Sequence, residues 1–205
     1  RPLLQIATMT ARTKQVIRQT KARIFGGNTT APDKVVSMFE PHTEIIRKGK
    51  ASKPNEFGKM VKIKEAENQL IIDYEVYAEK PADSDLLVES VQTHQERLSR
   101  TPHLVAADAG FYSAANEKAL AAAGVKRISV PNRHTKTVAR RRKEKERWFK
   151  QGQRWRTGCE GRISVLKRRH GLNRSRYRGQ DGMEKWVGWG VIADTLITLG
   201  GLIPA

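Results

Sequence analysis

The chain has one cysteine, Cys159, in 205 residues. That excludes an internal disulfide and an all-cysteine zinc site, and it suits a reducing compartment. With no histidine beside it, Cys159 reads as a small packed side chain and not as a nucleophile. Long apolar runs are also missing, and the N-terminal stretch has no signal-peptide pattern. Trp186–Ile203 is the one stretch that invites a membrane test, but it carries Asp194 and four glycines within eighteen residues. It predicts a buried helix and not a span, so the expected compartment is the cytoplasm. Acidic residues are scarce: 21 Asp and Glu stand against 39 Lys and Arg, for a formal charge of +18. The scarcity is uneven. Residues 133–178 hold 18 bases and three acids (Glu144, Glu146 and Glu160), and the rest of the chain is close to balance. Charge concentrated this way predicts a polyanionic partner. Nucleic acid is the first candidate, with a basic peripheral-membrane or ribosome-associated protein as the competing class.

What is present centres on Arg154–Gly171, where a lone carboxylate, Glu160, sits among Arg154, Arg156, Arg162, Lys167, Arg168, Arg169 and His170. Arg156 lies four residues before Glu160 and Lys167 seven after it. At 3.6 residues per turn those offsets put the three on one helical face. Ile163 and Leu166 lie beside that face and are expected to dock it on a core. A single i, i+4 salt bridge on a solvated helix explains the same spacing, and from this stretch alone it is the simpler account.

The remaining pattern alternates. Leu3–Phe25 has helical spacing with bases between its apolar positions and stops at Gly26-Gly27-Asn28. Val35–Phe39 reads as extended, and 48–54 as a loop. Phe57–Lys64 and Leu70–Tyr77 read as an antiparallel hairpin. Asp83 or Ser84 should cap a helix containing Leu86, Leu87, Val91 and Leu98. Leu104–Ala107 is a buried-strand run, Ser113 caps an Ala-rich helix at 114–123, and Arg127–Val130 is a second strand. A basic loop at 132–143 should precede helix from about Lys145 to His170, and a closing helix should run from Met183 to about Leu199. A hairpin followed by two helix-separated strands predicts an α/β fold with a mixed sheet flanked by helices.

In such sheets, sites form at the carboxyl ends of strands. Asp108 stands at the end of the 104–107 strand, with Gly110 allowing a turn; Asp-x-Gly is also an ordinary turn sequence. An acid at a strand end, an acid in a basic helix and a phosphate-attracting surface together suit divalent-metal phosphodiester chemistry. Mg²⁺ or Mn²⁺ prefers oxygen ligands, and a two-metal site uses carboxylates to hold both ions. Such a site needs a third acid. Asp33, Asp73 and Asp83 are available, but none is placed securely by the sequence.

At these residues the sequence resembles the DDE transposases of insertion sequences, with the ISNCY type nearest, in the RNase H-like and retroviral integrase superfamily. Ala107-Asp108-Ala109-Gly110-Phe111-Tyr112-Ser113 resembles the motif around that family's second aspartate. Arg156, Glu160 and Lys167 match its Tyr-x2-Arg-x3-Glu-x6-Lys signature, with Gln153 in the Tyr position. Ser37–Thr43, Lys48-Gly49-Lys50 and Glu56-Phe57-Gly58 also resemble family segments. The resemblance implies an RNase H-like domain over 29–205, with 1–28 a helical segment of an insertion. It implies Asp108 and Glu160 as catalytic, metal-binding acids for two Mg²⁺ or Mn²⁺ ions. It assigns DNA phosphates to Arg156 and Lys167, with Arg154, Arg162, Arg168 and Arg169 around them. The implied partner is double-stranded DNA, both transposon ends and target, bound by a homo-oligomer with no membrane involvement. The family's first aspartate belongs to a strand before the hairpin, and no acid upstream of Phe57 sits on a convincing strand. The chain is therefore expected to be a fragment of the catalytic domain that lacks this strand, with an inactive DNA-binding remnant as the competing reading.

Overall fold

The computed structural model of the chain describes residues 2–47 and 55–203. The expected loop at 48–54 and the family-like Lys48-Gly49-Lys50 lie outside the described residues. Helix α1 spans Pro2–Gly26 and buries none of its residues. It is tied to the following loop by side-chain hydrogen bonds: Arg12 to the Met38 carbonyl at 2.9 Å, and Gln19 to Val35 through both the amide and the carbonyl. Residues 35–39, expected to be extended, form irregular chain. The strand lies further on. β1 (Glu44–Arg47) pairs antiparallel with β2 (Asn55–Gly58), setting Ile45 against Phe57.

The expected hairpin is β3 (Val61–Glu65) with β4 (Ile71–Val76). Its register sets Lys62 opposite Glu75 and Lys64 opposite Asp73, and both pairs form salt bridges, the first at 2.7 Å. Cross-strand pairs of opposite charge stabilise a ladder by up to about 1 kcal/mol each. The charged face of the hairpin turns toward α2 (Leu86–Leu98), where Lys62 meets Glu89 and Lys64 donates to the Ser90 carbonyl. Asp73 is also held by Arg97 of α2. A short 3-10 turn at Asp83–Asp85 leads into α2, so Asp83 and Ser84 precede the cap position instead of filling it.

β5 (Leu104–Ala106) and β6 (Arg127–Ser129) are parallel, joined through α3 (Ala114–Ala122), whose cap Ser113 accepts from the Asn116 amide at 3.0 Å. The predicted basic loop is partly helical: α4 occupies Val138–Lys145. Glu146 is extended (φ −62°, ψ 148°) and separates α4 from α5 (Arg147–Arg169). α6 runs from Gly179 to Leu202. The α/β class stands. Among the described residues, however, the strands form three two-stranded sheets in place of one continuous mixed sheet.

Two apolar clusters organise the chain. Leu87, Val91, Leu120, Val125, Ile128 and Val130 form the first, on β5–β6 with α2 and α3. Ile71, Val76, Leu166, Val187 and Val191 form the second, on β3–β4 with α6. Helix α5 joins them: Phe149 and Gly152 are buried near its start and Leu166 near its end. Fourteen residues separate Gly152 from Leu166, about 21 Å of helix at 1.5 Å per residue. The middle of α5 therefore crosses the seam between the two clusters.

Candidate active site

The seam is where the predicted acids meet. Asp108 follows β5 and begins a 3-10 turn (Ala109–Phe111), but its carboxylate makes no capping bond there. It accepts instead from Nη2 of Arg156, on the middle of α5. The same Nη2 donates to Glu160 Oε1 at 3.0 Å. Two oxygens that share one donor nitrogen are no further apart than two hydrogen bonds end to end, about 6 Å. The Asp108 and Glu160 side chains are 45% and 62% exposed, whereas Arg156 is 25% exposed. The carboxylates thus face solvent with a guanidinium behind and between them.

Residues one turn earlier set this alignment. Gln153 donates to the Ala107 carbonyl at 3.3 Å, to the Ser129 carbonyl, and to Ser129 Oγ at 3.1 Å. It ties α5 to the ends of both parallel strands and fixes the helix rotation that turns Arg156 and Glu160 toward Asp108. Beside it, Gly152 lets the helix come close: a Cβ there would lie 2.8 Å from Ser129 Cβ. Ser129 is fully buried and donates to the Phe149 carbonyl at 2.9 Å. Sequence reasoning identified Gln153 only as a departure from a motif; its role depends on Ala107 and Ser129, distant in the chain.

The three reserve acids are placed as well. Asp73 is buried, with its carboxylate held by Lys64 and Arg97. Asp33 lies in the exposed loop after α1 with φ 52°. Asp83 comes nearest: its Oδ2 would be 2.9 Å from a Cβ built on Gly110, so it lies against the turn that Asp108 starts. No group of three Asp, Glu, His or Cys that could hold a metal is found among the described residues. Asp108 and Glu160 supply oxygen donors of the kind a hard divalent ion takes, with the Arg156 guanidinium lying between them in this structure, and they do not supply the third acid of a two-ion centre. Cys159, one residue before Glu160, has its thiol pushed up to about 12 by burial and then by the Glu65 carboxylate beside it, so it stays protonated and unreactive at neutral pH.

Of the surrounding bases, Arg154, Lys167, Arg168 and Arg169 are exposed and have no acidic partner among the described residues. Arg162 differs. Its Nη1 donates to both oxygens of Asp194 at 2.9 and 3.2 Å, and its Nη2 reaches Gln69. It joins α5 to α6 inside the fold, with His170 Nε2 3.4 Å from the same carboxylate. Leu166 is fully buried as expected, whereas Ile163 is 40% exposed. Arg162 takes the inward-facing side of that turn to reach Asp194 and leaves Ile163 outside. At the α4–α5 elbow, Lys145, Arg147, Lys150, Gln151 and Arg154 line a cationic cleft of about 370 Å³. No described helix is long and apolar enough to cross a membrane.

A family model described as a transposase DDE domain matches residues 37–195, well over half of the chain and every element of this site. No curated protein and no solved structure matches.

Proposed function

This chain belongs to the transposase DDE domain family, and on that footing we propose that Asp108 and Glu160 form its metal-binding acid pair beside a DNA groove. Transposases act on DNA, and those of the DDE family use divalent metal ions. The observation that carries the assignment is the single Arg156 nitrogen shared by the strand-end acid and the helix acid. A divalent ion bound there would polarise a phosphodiester for cleavage and strand transfer. Mg²⁺ is the proposed ion, with Mn²⁺ able to replace it.

The chain's own residues divide the remaining roles. Arg156 offsets the repulsion between the two carboxylates. A guanidinium carries five N–H donors, and with both hydrogens of Nη2 engaged, three remain to bind phosphate oxygen. Arg154, Lys167, Arg168 and Arg169 are cations on the same helix with no acidic partner among the described residues, suited to backbone phosphates of double-stranded DNA on either side of the acids. Arg162 acts at one remove, holding α5 on α6 through Asp194.

The fold reading we propose is RNase H-like over 29–205. An antiparallel hairpin followed by helix-joined parallel strands supports it, and an α1 without buried residues supports treating 1–28 as a separate helical segment. A competing reading, a DNA-binding remnant without chemistry, is favoured by one observation: two acids converge where a two-ion centre takes three.

Salt dependence of DNA affinity tests the groove. The plot of log affinity against log salt should fall steeply, and Arg156→Ala with Lys167→Ala should flatten its slope by about two units at most. An unchanged slope would place the groove elsewhere on the molecule.

A further inference from the structure

Arg156 stands where a cation shared by the two acids would have to stand. Its Nη2 donates to Asp108 Oδ2 and, at 3.0 Å, to Glu160 Oε1. A divalent ion bound to both oxygens at about 2.1 Å would enter the same gap, against the hydrogens of a positive group. Two cations in contact repel strongly wherever water screens them only in part, and Arg156 is 25% exposed. In this arrangement the guanidinium and a bridging ion exclude one another.

The two acids are also all that holds the guanidinium. Its other donors, on Nη1 and Nε, make no hydrogen bond among the described residues. Arg162, six residues further along α5, is held differently. It meets both oxygens of Asp194, a side chain only 3% exposed, and reaches Gln69 as well. Arg162 cannot leave without stranding a buried carboxylate. Arg156 can, because the acids it would leave are half in solvent, and ion pairs at such positions contribute little.

DNA supplies the other place for it to go. A phosphate takes a guanidinium through two parallel N–H···O bonds, a better match than one nitrogen divided between two acids. Arg154, Lys167, Arg168 and Arg169, exposed on the same helix, draw phosphates to its neighbourhood.

We propose that Arg156 gates the acid pair. Without DNA it closes the gap between Asp108 and Glu160 to cations; on DNA it turns to a backbone phosphate and opens that gap. The proposal rests on the reading of these acids as metal ligands. It makes DNA and the ion cooperative ligands, each tightening the other by the same factor, as linkage requires. The acids then become available to an ion only where a phosphodiester is already seated.

Electron paramagnetic resonance of Mn²⁺ titrated with the whole chain tests this in two arms. In the first, without DNA, Arg156→Gln should bind Mn²⁺ about tenfold or more tighter than wild type. Arg154→Gln removes the same charge from the same helix without touching the acids, and should gain far less. In the second arm a short DNA duplex should tighten Mn²⁺ binding by the wild-type chain several-fold. The Asp108→Asn, Glu160→Gln double variant with the same duplex gives the blank for Mn²⁺ condensed on the DNA. This arm needs no change at Arg156, so it decides the matter if Arg156→Gln fails to fold. Equal gains from Arg156→Gln and Arg154→Gln, or wild-type Mn²⁺ affinity unmoved by DNA, overturns the gate while the acid pair stands. Mn²⁺ binding that never exceeds the double-variant blank, in either chain and with or without DNA, removes the acid pair and the gate together.

Discussion

Glycines in one helix can have opposite roles, and α5 shows both. Gly152 sits against Ser129, whereas nothing lies within 4 Å of a Cβ built on Gly158. Alanine in an exposed helix interior gains up to about 1 kcal/mol over glycine, so Gly158→Ala should raise the urea midpoint. Gly152→Ala should lower it, because a methyl group forced onto Ser129 pushes α5 off the parallel strands at a cost of about 1–3 kcal/mol. Equal effects from the two substitutions would mean that α5 does not touch β6 as described. At this scale the sequence was partly legible. The spacing of Arg156 and Glu160 is local, so helical periodicity alone revealed their shared face. The roles of Gln153, Gly152 and Arg162 were not legible, because Ser129 lies more than twenty residues from Gln153 and Asp194 lies 32 from Arg162.

Among the elements, those with an apolar stripe were legible and those held by charge were not. α3, β5 and β6 follow their apolar runs. α4 has no such stripe and reads as loop, yet it is helical because Arg140 binds Glu144 at i, i+4 and reaches Glu117 of α3 and the Val130 carbonyl. The pairing of β3 with β4 was legible, whereas β1–β2 was hidden in a polar stretch interrupted by lysines. Glu117 gives α4 a pH signature. Burial alone would raise its pKa, but hydrogen bonds from Lys143 and Arg140 outweigh that and lower it. A lowered carboxylate pKa adds stability that is present above the unfolded value, about 4.3, and is lost as pH falls through the folded value. The wild-type thermal midpoint should therefore exceed that of Glu117→Gln at pH 6, and the gap should close toward pH 3. A gap independent of pH would contradict this ion-pair account of α4.

For the whole molecule, the charge map read from composition and the two-cluster core converge on one place, the seam crossed by α5. The sequence could not show that the strands separate into three pairs, because sheet continuity depends on edges that meet in space. Two carboxylates at the seam give a graded expectation for chemistry: DNA binding should be firm, and Mn²⁺-dependent cleavage faint and abolished by Asp108→Ala. A group withdrawn from a two-ion mechanism costs several kcal/mol, and each 1.36 kcal/mol is about tenfold in rate. Vigorous cleavage would point to a third carboxylate, and Asp83, lying against Gly110, would be the first replaced. The central claim is that Asp108 and Glu160 are two ligands of one ion. Electron paramagnetic resonance of Mn²⁺ titrated with the chain measures bound ion directly, without DNA or turnover. The account predicts one weak site per chain, lost in both Asp108→Asn and Glu160→Gln and retained in Asp73→Asn; Mn²⁺ binding that survives either of the first two substitutions unchanged would contradict it.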